Sequence, residues 1–213
     1  VISPTYGGGT SQVEYEVLSA YPSTNTSGYP FVDTIKSPFY SIAELLKKEG
    51  YYSMFLHPNT KLFYNRYQVY QYMGFDKTIF LEDISSSLDH EGFYVSDKAT
   101  YDLLIQDYEQ NQNSNRPYFS YVVTIQNHGG YAYDYNKYGI VSLNDMGTAE
   151  NKQQLETFSN LIRESDESLM YLLNYFEEIN EPTIIVFWGD HSPSLSPMGI
   201  SIDGIKDLSI RQT

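Results

Sequence analysis

Apolar positions along the chain follow two different patterns, a helical repeat and continuous apolar runs. This predicts helices alternating with strands. From about Thr148 to Ile179, apolar residues recur at steps of three, four and seven. This spacing predicts one long amphipathic helix. After Pro182, the run TIIVFW at 183–188 is continuously apolar, which is typical of a strand buried on both faces.

Shorter segments continue the alternation. Ser37 and Pro38 precede FYSIAELLKKEG, which predicts a helix beginning there and closed by Gly50. Two more helices and three strands are predicted: helices over 66–74 and 97–110, the second capped by Ser96, and strands over 51–56 ending at His57, 77–81 and 118–125. Together these elements predict an α/β fold in a single domain, with a mostly parallel central sheet flanked by helices.

Composition and charge narrow the possible functions. A chain of 213 residues with 41% hydrophobic positions can bury one sizeable core. Its 13 basic and 27 acidic residues give a net charge of −14, so nucleic acid is not expected as a partner. The absence of cysteine excludes disulfides and thiol nucleophiles. Because no apolar run approaches the ~20 residues that span a bilayer, any membrane anchor is expected outside this sequence.

Polar segments that could carry chemistry fall at or near the predicted strand ends. In open α/β sheets, ligands bind beyond the carboxyl ends of the strands. Four segments occupy such places: GGGTS (7–11), HPNTKLFYNR (57–66), QNHGGY (126–131) and WGDHSP (188–193). Their agreement in position is stronger evidence for a site than any one of them.

The first of these segments has two interpretations. Three glycines before Thr10 could form no more than a flexible turn. Alternatively, they allow a ligand to approach the backbone while Thr10 stands at the start of a helix. The amides and dipole at that position would stabilise an alkoxide or a bound phosphate.

The other segments are also ambiguous when taken alone. Asp190 and His191 could ligate a divalent cation, or they could simply form a turn after a strand. His128 could be an ordinary loop histidine or a donor to phosphate oxygens. His57 and Arg66 could grip an anionic group, or they could belong to a solvated surface loop.

Taken in order, these motifs resemble the lipoteichoic acid synthase family of phosphoglycerol transferases, within the alkaline phosphatase and sulfatase superfamily. The resemblance is carried by GGGTSQVEYEVL, the histidine followed by FYNR and YQYMGFD, TIQNHGGY, the ESDESL helix and FWGDH. It covers nearly the whole chain. It implies the alkaline phosphatase-like form of the α/β fold.

The resemblance also implies roles for individual residues. Thr10 matches the family's nucleophile, which is also a metal ligand, and Asp190 and His191 match two further ligands. His57, Arg66 and His128 match residues that line the phosphoglycerol pocket, and they would act in catalysis as well as in substrate binding. Asn59 and Tyr64 would also contact the substrate, and they stand where the synthases have an aspartate and a tryptophan.

The implied activity is metal-dependent transfer of glycerophosphate through a phosphothreonine intermediate. Mn²⁺ is the first candidate metal and Mg²⁺ the second. The implied partners are a phosphatidylglycerol-type lipid donor and a polymer or glycan acceptor. The implied location is the extracellular face of a bacterial membrane, to which segments outside this chain would attach it, or the medium after cleavage.

Three alternatives stay open at this point. A sulfatase is one, although TSQVE lacks the C/S-x-P-x-R setting of the usual formylglycine precursor. A phosphoethanolamine transferase, which shares the threonine nucleophile, is another. The third is a noncatalytic module that binds a glycan or an anionic polymer.

One departure from the family concerns the metal. The family carries a further acidic ligand on a strand before the nucleophile, whereas no acidic residue occurs between Val1 and Gly9. Residues 1–213 are therefore expected to be a partial catalytic domain, truncated at both ends and lacking the first strand and C-terminal portion. Weak metal retention and inactivity are expected for the fragment alone.

Overall fold

The computed structural model describes residues 8–26, 28–84, 86–139, 148–191 and 193. Within these ranges the chain forms five α-helices: α1 Thr10–Ser19, α2 Ile42–Lys48, α3 Arg66–Tyr72, α4 Asp97–Asn111 and α5 Ala149–Glu177. The same ranges contain five strands: β1 Tyr52–His57, β2 Lys77–Phe80, β3 His90–Glu91, β4 Tyr94–Val95 and β5 Tyr118–Val122. Single helical turns lie at 23–25, 30–34, 63–65, 81–83 and 112–114.

The central sheet has the order β2-β1-β5, and both strand pairings are parallel. His57 at the end of β1 lies opposite Phe80, and Leu56 lies opposite Val122. The carboxyl ends of all three strands therefore meet at one edge of the sheet. This places the segments after β1 and β5 at that edge, where ligands of α/β folds bind.

Helices cover both faces of the sheet because successive side chains of β1 point to opposite sides. Phe55 is fully buried on one face, in a cluster with Val69 and Tyr70 of α3 and with residues of α1. Met54 and Leu56 are fully buried on the other face, in a cluster with residues of α4 and α5. The predicted α/β fold with a parallel sheet flanked by helices is confirmed.

Several predicted helix ends are confirmed by their caps. α4 begins after Ser96, whose hydroxyl accepts a hydrogen bond from the amide of Ala99 at 3.0 Å. α5 begins after Thr148, whose side chain caps the helix in the same way. Gly74 has a φ of +86°, a left-handed conformation that favours glycine, just beyond the end of α3.

The predicted start of α2 at Ser37 and Pro38 is wrong. The helix begins four residues later, at Ile42, because Ser41 supplies the cap and accepts from the amide of Glu44 at 3.2 Å. The hydroxyl of Ser41 also donates to the Met73 carbonyl at 2.6 Å, which fixes it against the end of α3. Serine followed three residues later by glutamate is the capping-box pattern.

The predicted buried strand over 183–188 is also wrong in the described structure. This segment has no assigned strand, and Ile184, Val186 and Phe187 are 91%, 72% and 65% exposed. A strand forms only when a neighbour accepts its backbone hydrogen bonds, and no described strand pairs with these residues. Conversely, the sequence patterns did not predict the short antiparallel hairpin of β3 and β4.

Candidate active site

Thr10 and Asp190 meet in the folded chain although 180 residues separate them. The hydroxyl of Thr10 donates to Oδ2 of Asp190 at 2.8 Å. Nε2 of His191 lies 3.2 Å from the same oxygen, and its backbone amide donates to Oδ1 of Asp190 at 2.9 Å. The structure therefore brings together the three residues predicted as a nucleophile and metal ligands.

The backbone before Thr10 explains two of the three glycines. Gly8 and Gly9 have φ angles of +146° and +91°, conformations that residues with side chains rarely adopt. Gly9 stands directly before α1 and offers no capping side chain. The hydroxyl of Thr10 thus lies at a helix N-terminus, where the helix dipole favours negative charge. Gly7 lies outside the described residues, as does Ser192 of the WGDHSP segment.

Arg66 forms a buried ion pair with Glu14, a residue that the motif reading did not single out. Both residues are 1% exposed. Nε of Arg66 lies 3.1 Å from each carboxylate oxygen, and a terminal nitrogen lies 2.5 Å from one of them. Tyr70 also donates its hydroxyl to Glu14. Because Glu14 follows Thr10 by four residues, one helix face carries both side chains.

One nitrogen of Arg66 has no hydrogen-bond partner among the residues that the structure describes. Nη1 is buried and unpaired within the described part of the chain, although guanidinium donors are normally satisfied when buried. The rings of Tyr64 and Phe63 lie 5.1 and 5.9 Å from the guanidinium carbon. The guanidinium is therefore a fixed cation, and its Nη1 is left to donate to an anion.

The ion pair decides the direction in which the pKa of each partner shifts. Burial by itself would raise the pKa of Glu14, but the charge and hydrogen bonds of Arg66 outweigh burial and the pKa is lowered. Burial would likewise lower the pKa of Arg66, but the charge of Glu14 raises it. Both side chains are therefore ionised at neutral pH.

His57 lies at the end of β1 and is only 3% exposed. Burial, followed by the positive charge of Arg66, lowers the pKa of His57 to about 4. Its Nδ1 lies 2.8 Å from the carbonyl oxygen of Val123. A carbonyl can only accept, so Nδ1 carries the proton. The imidazole is neutral at pH 7, and Nε2 remains a hydrogen-bond acceptor.

His128 lies in the loop after β5 and is exposed. Its Nδ1 lies 3.1 Å from the hydroxyl of Tyr94, which comes from the hairpin that the sequence did not predict. The charge of His128 also contributes to lowering the pKa of His57, so the two imidazoles belong to one electrostatic environment.

A buried polar network connects the His128 loop to the helices behind it. The hydroxyl of Ser165 donates to Asp97 at 2.6 Å and accepts from the side chains of Asn127 and Gln126 at 2.6 and 3.2 Å. Gln126 also accepts from the backbone amide of Asp97 at 2.8 Å. α4 and α5 thus hold the two residues that precede His128.

The two residues predicted to contact substrate beside His57 and Arg66 occupy a tight turn. Asn59 uses its side-chain oxygen to accept from the amide of Thr60 at 2.7 Å. Tyr64 and the following Asn65 both have a φ of +56°, a left-handed conformation that is uncommon without glycine. This turn directs Arg66 inward and places the Tyr64 ring over its guanidinium.

Glu14, Tyr70 and Tyr94 are the site residues that sequence reasoning missed. None of the three stood out by a local pattern: Glu14 lies four residues after Thr10 on a predicted helix, but that spacing does not reveal a buried partner. The other two are recruited by packing between elements that are distant in sequence.

The donors at the Thr10 cluster suit a divalent cation in part. A hydroxyl, a carboxylate and an imidazole are ligands that hard or borderline metals accept. However, no group of three or more His, Cys, Asp or Glu residues that could hold a metal occurs in the described ranges. Thr10, Asp190 and His191 therefore form an incomplete ligand set within the described chain.

The fold defines a class: an α/β protein with a parallel sheet flanked by helices, in which polar candidate residues follow the carboxyl ends of β1 and β5. The chain belongs to the sulfatase family, whose model matches residues 1–211. The predicted resemblance to phosphoglycerol transferases of the alkaline phosphatase superfamily is confirmed.

Named relatives agree with this placement. A Rhizobium meliloti protein, provisionally named for cyclic beta-1,2-glucan modification, is 32% identical over 98% of this chain and 32% of its own length. The lipoteichoic acid synthase-like protein YvgJ of Bacillus subtilis is 28% identical over 88% of this chain and 29% of its own. The chain thus spans about a third of the length of these relatives.

A solved structure also matches. The Streptococcus pyogenes phosphoglycerol transferase GacH, in complex with sn-glycerol-1-phosphate, aligns with a TM-score of 0.74 at 27% identity, covering 94% of this chain and 54% of that one.

Among the helices in the described residues, none has both the length and the apolar character that crossing a membrane requires.

Proposed function

We propose that this chain carries the catalytic centre of a phosphotransferase that moves glycerophosphate from a phosphatidylglycerol-type lipid to a polymer or glycan acceptor. The observation that carries the proposal is the hydrogen bond from Thr10 to Asp190 at a helix N-terminus. The hydroxyl is directed toward a carboxylate and stands where negative charge is favoured. Thr10 would attack the phosphorus and break its bond to the diacylglycerol oxygen, so that diacylglycerol leaves as the alcohol and a phosphothreonine intermediate carries the glycerophosphate. A hydroxyl of the acceptor would then attack the same phosphorus and release Thr10.

Arg66 would bind the phosphate. Its guanidinium is held by Glu14 and leaves the buried Nη1 without a partner in the described structure. An anionic phosphate oxygen would satisfy that donor. Since both partners of the ion pair are fixed before substrate arrives, little reorganisation would be needed as charge develops on the phosphate.

His57 and His128 would serve the alcohol groups of the reaction. The neutral His57 can accept a hydrogen bond from a substrate hydroxyl through Nε2. Arg66, and not His57, would therefore supply the positive charge of the proposed site. The exposed His128 can reach the leaving or attacking alcohol and exchange a proton with it. Asn59 and Tyr64 would shape the wall that faces the glycerol group.

The proposed cofactor is Mn²⁺ or Mg²⁺, with Thr10, Asp190 and His191 as the ligands from this chain. A bound cation would supply Lewis acidity and a lowered pKa for the Thr10 hydroxyl. Because these three donors are an incomplete set, a further acidic ligand from a strand preceding residue 1 is part of the proposal. Residues 1–213 would then be a partial catalytic domain, and the chain alone would retain metal weakly and be inactive.

The names of the relatives support both kinds of acceptor. One is named for glucan modification and another for its likeness to lipoteichoic acid synthase. Both names suit chemistry on cell-envelope polymers, so the proposed location is the outer face of a bacterial membrane.

The test measures transfer and the intermediate together. The protein, expressed with any sequence that flanks residues 1–213 in its gene, is incubated with Mn²⁺ and phosphatidylglycerol labelled in its glycerophosphate headgroup. Diacylglycerol release and the mass of Thr10 peptides are then followed. Thr10→Val should abolish the adduct and reduce transfer by roughly 10³-fold or more. Thr24→Val, at an exposed threonine, is the matched control and should leave both unchanged.

Three other outcomes would replace the proposal. Release of sulfate from a sulfate ester, with no transfer from the lipid, would indicate a sulfatase. Transfer from phosphatidylethanolamine alone would indicate a phosphoethanolamine transferase. Polymer binding without turnover, unchanged in Thr10→Val, would indicate a noncatalytic module.

A further inference from the structure

A group of large apolar side chains is exposed on the turn that leads into Arg66 and on the first turn of α3. Leu62 is 75% exposed, Phe63 48% and Tyr67 45%. We call residues 61–67 the aromatic loop. Soluble proteins expose single apolar residues freely, but a contiguous apolar group marks an interaction site. The aromatic loop is such a group.

The apolar surface extends beyond the loop to the helical turn at 30–34. The ring of Tyr29, which precedes this turn, lies 5.2 Å from the ring of Tyr64, and Val32 within the turn is 40% exposed. Phe63 and Tyr64 have ring centroids 4.4 Å apart. The exposed side chains thus form one patch rather than separate residues.

The backbone holds the aromatic loop in this projecting form. Tyr64 and Asn65 are both left-handed, a costly arrangement for two consecutive residues other than glycine. At the base of the loop, the carboxylate of Glu82 accepts from the hydroxyl of Thr60 and the amide of Lys61. The projection of Leu62 is therefore built into the fold.

The chemistry of the loop suits the interface of a bilayer. Tyrosine and phenylalanine favour the boundary between headgroups and acyl chains, and a lysine can reach the headgroups while its stem stays apolar. Lys61 is the only charged residue from Pro58 to Asn65, in a chain with 27 acidic residues. Its ammonium lies 5.6 Å from the centre of the Tyr67 ring.

The loop is continuous with the candidate anion site. Phe63 and Tyr64 cover the Arg66 guanidinium while the neighbouring Leu62 projects into solvent. With the bilayer surface at this loop, a lipid whose acyl chains stay in the bilayer would have its phosphate close to Arg66. A peptide partner would need a groove or a strand edge, and a projecting turn provides neither.

We propose that the aromatic loop inserts Leu62, Phe63 and Tyr67 into the surface of a phospholipid bilayer and so brings a lipid headgroup to Arg66. The choice of a lipid partner rests on the proposed function.

The test uses the absence of cysteine in the chain. Leu62→Cys is labelled with an environment-sensitive dye. Phe93→Cys is the matched control, because Phe93 is an exposed aromatic residue outside the aromatic loop. Vesicles of phosphatidylcholine, with and without phosphatidylglycerol, are added. The dye at position 62 should brighten and shift to the blue with both kinds of vesicle, and the dye at position 93 should not change.

The other results of this experiment overturn the proposal. They are no change at position 62, an equal change at both positions, a change at 62 caused by raising protein concentration without lipid, or a response to phosphatidylglycerol alone that salt abolishes. The third result would indicate self-association, and the last would indicate attraction by charge without insertion.

A second measurement separates docking from catalysis. Leu62→Ser should weaken vesicle binding by about tenfold or more, since one exposed leucine loses its burial in lipid. Transfer from phosphatidylglycerol in vesicles should fall, while transfer from a short-chain, water-soluble phosphatidylglycerol should not. An equal fall with both donors overturns the docking role. If no donor supports transfer but the dye at position 62 still enters vesicles, the proposed function fails and docking stands.

Discussion

Replacing Glu14 with glutamine should destabilise the protein far more than an ordinary surface change, because it leaves a buried cation without its counter-ion. Glu14 and Arg66 are both 1% exposed and are joined by three nitrogen–oxygen contacts. Glutamine keeps the shape and one acceptor oxygen but removes the charge. Breaking a buried ion pair in this way costs about 3–5 kcal/mol.

The expected change in melting temperature follows from the size of the chain. For domains of 150–250 residues, 1 kcal/mol shifts Tm by about 2–4 °C, so Glu14→Gln should lower Tm by roughly 6–20 °C at pH 7. Glu44→Gln is the matched control, since Glu44 makes only a partly exposed pair with Lys48. Its loss should cost less than about 1 kcal/mol. Scanning calorimetry or circular dichroism at one protein concentration measures both variants.

The direction of the pKa shift of Glu14 predicts how this stabilisation changes with pH. The folded pKa of Glu14 is lowered below its ordinary 4.5, so the unfolded state binds more protons in that range. The stabilisation is therefore complete above about pH 4.5 and is lost as the pH falls through the folded pKa. The Tm difference between wild type and Glu14→Gln should narrow in acid. If Glu14→Gln melted within about 2 °C of wild type at pH 7, inside the range expected for Glu44→Gln, the argument would be refuted.

A double variant separates stability from anion binding. Glu14→Leu with Arg66→Met replaces the pair with apolar side chains, which is often neutral or stabilising when the packing is good. This variant should recover much of the Tm lost in Glu14→Gln but should not bind glycerophosphate. Recovery of both properties would show that the anion site does not depend on Arg66.

Two further predictions concern the imidazole and the network behind the loop. The pKa of His57 should be near 4 when it is measured by NMR. Between about pH 6.5 and pH 4 only the unfolded state protonates this histidine, so the free energy of unfolding falls as the pH drops through that range. A measured pKa near 6.5 would contradict this. Ser165→Ala should cost about 1–3 kcal/mol and speed amide exchange at Asn127, because it removes the shared partner of Asp97 and Asn127. Ser168→Ala is the control, because among the described residues the Ser168 hydroxyl bonds only to a backbone carbonyl of its own helix. Equal effects of the two changes would exclude a role for the network.

Much of the fold was predictable because local patterns decide it. α5 extends over 29 residues, and so many apolar repeats left little choice of period. Its observed bounds lie within two residues of the predicted ones. Ser96, Thr148 and Gly74 marked helix ends correctly since capping acts over three or four residues. The start of α2 failed where two serines competed, and the contact of Ser41 with Met73 favours the second.

The candidate site was predictable only where its residues stand at the ends of elements. Thr10 opens a helix, His57 ends a strand and His128 follows one, so each stood out in the sequence. Glu14 did not, because its partner Arg66 lies 52 residues away and the pair exists only once α1 and α3 have packed. A buried carboxylate within a helix has no local signature.

Two parts of the candidate site differ in how firmly the fold holds them. One part contains His57 and Arg66, and the other contains Asp190 and His191. Arg66 begins α3 and His57 ends β1, and both elements bury apolar side chains in the core. Asp190 and His191 follow residues 183–188, which pair with no described strand and contact the sheet through the ring of Trp188, 5.9 Å from that of Tyr121. Single substitutions in the pair of Arg66 and Glu14 should therefore lower stability together with any effect on catalysis. Substitutions at Asp190 should remove the partner of the Thr10 hydroxyl while leaving the fold intact, which makes the Asp190 half the better place to test the chemistry.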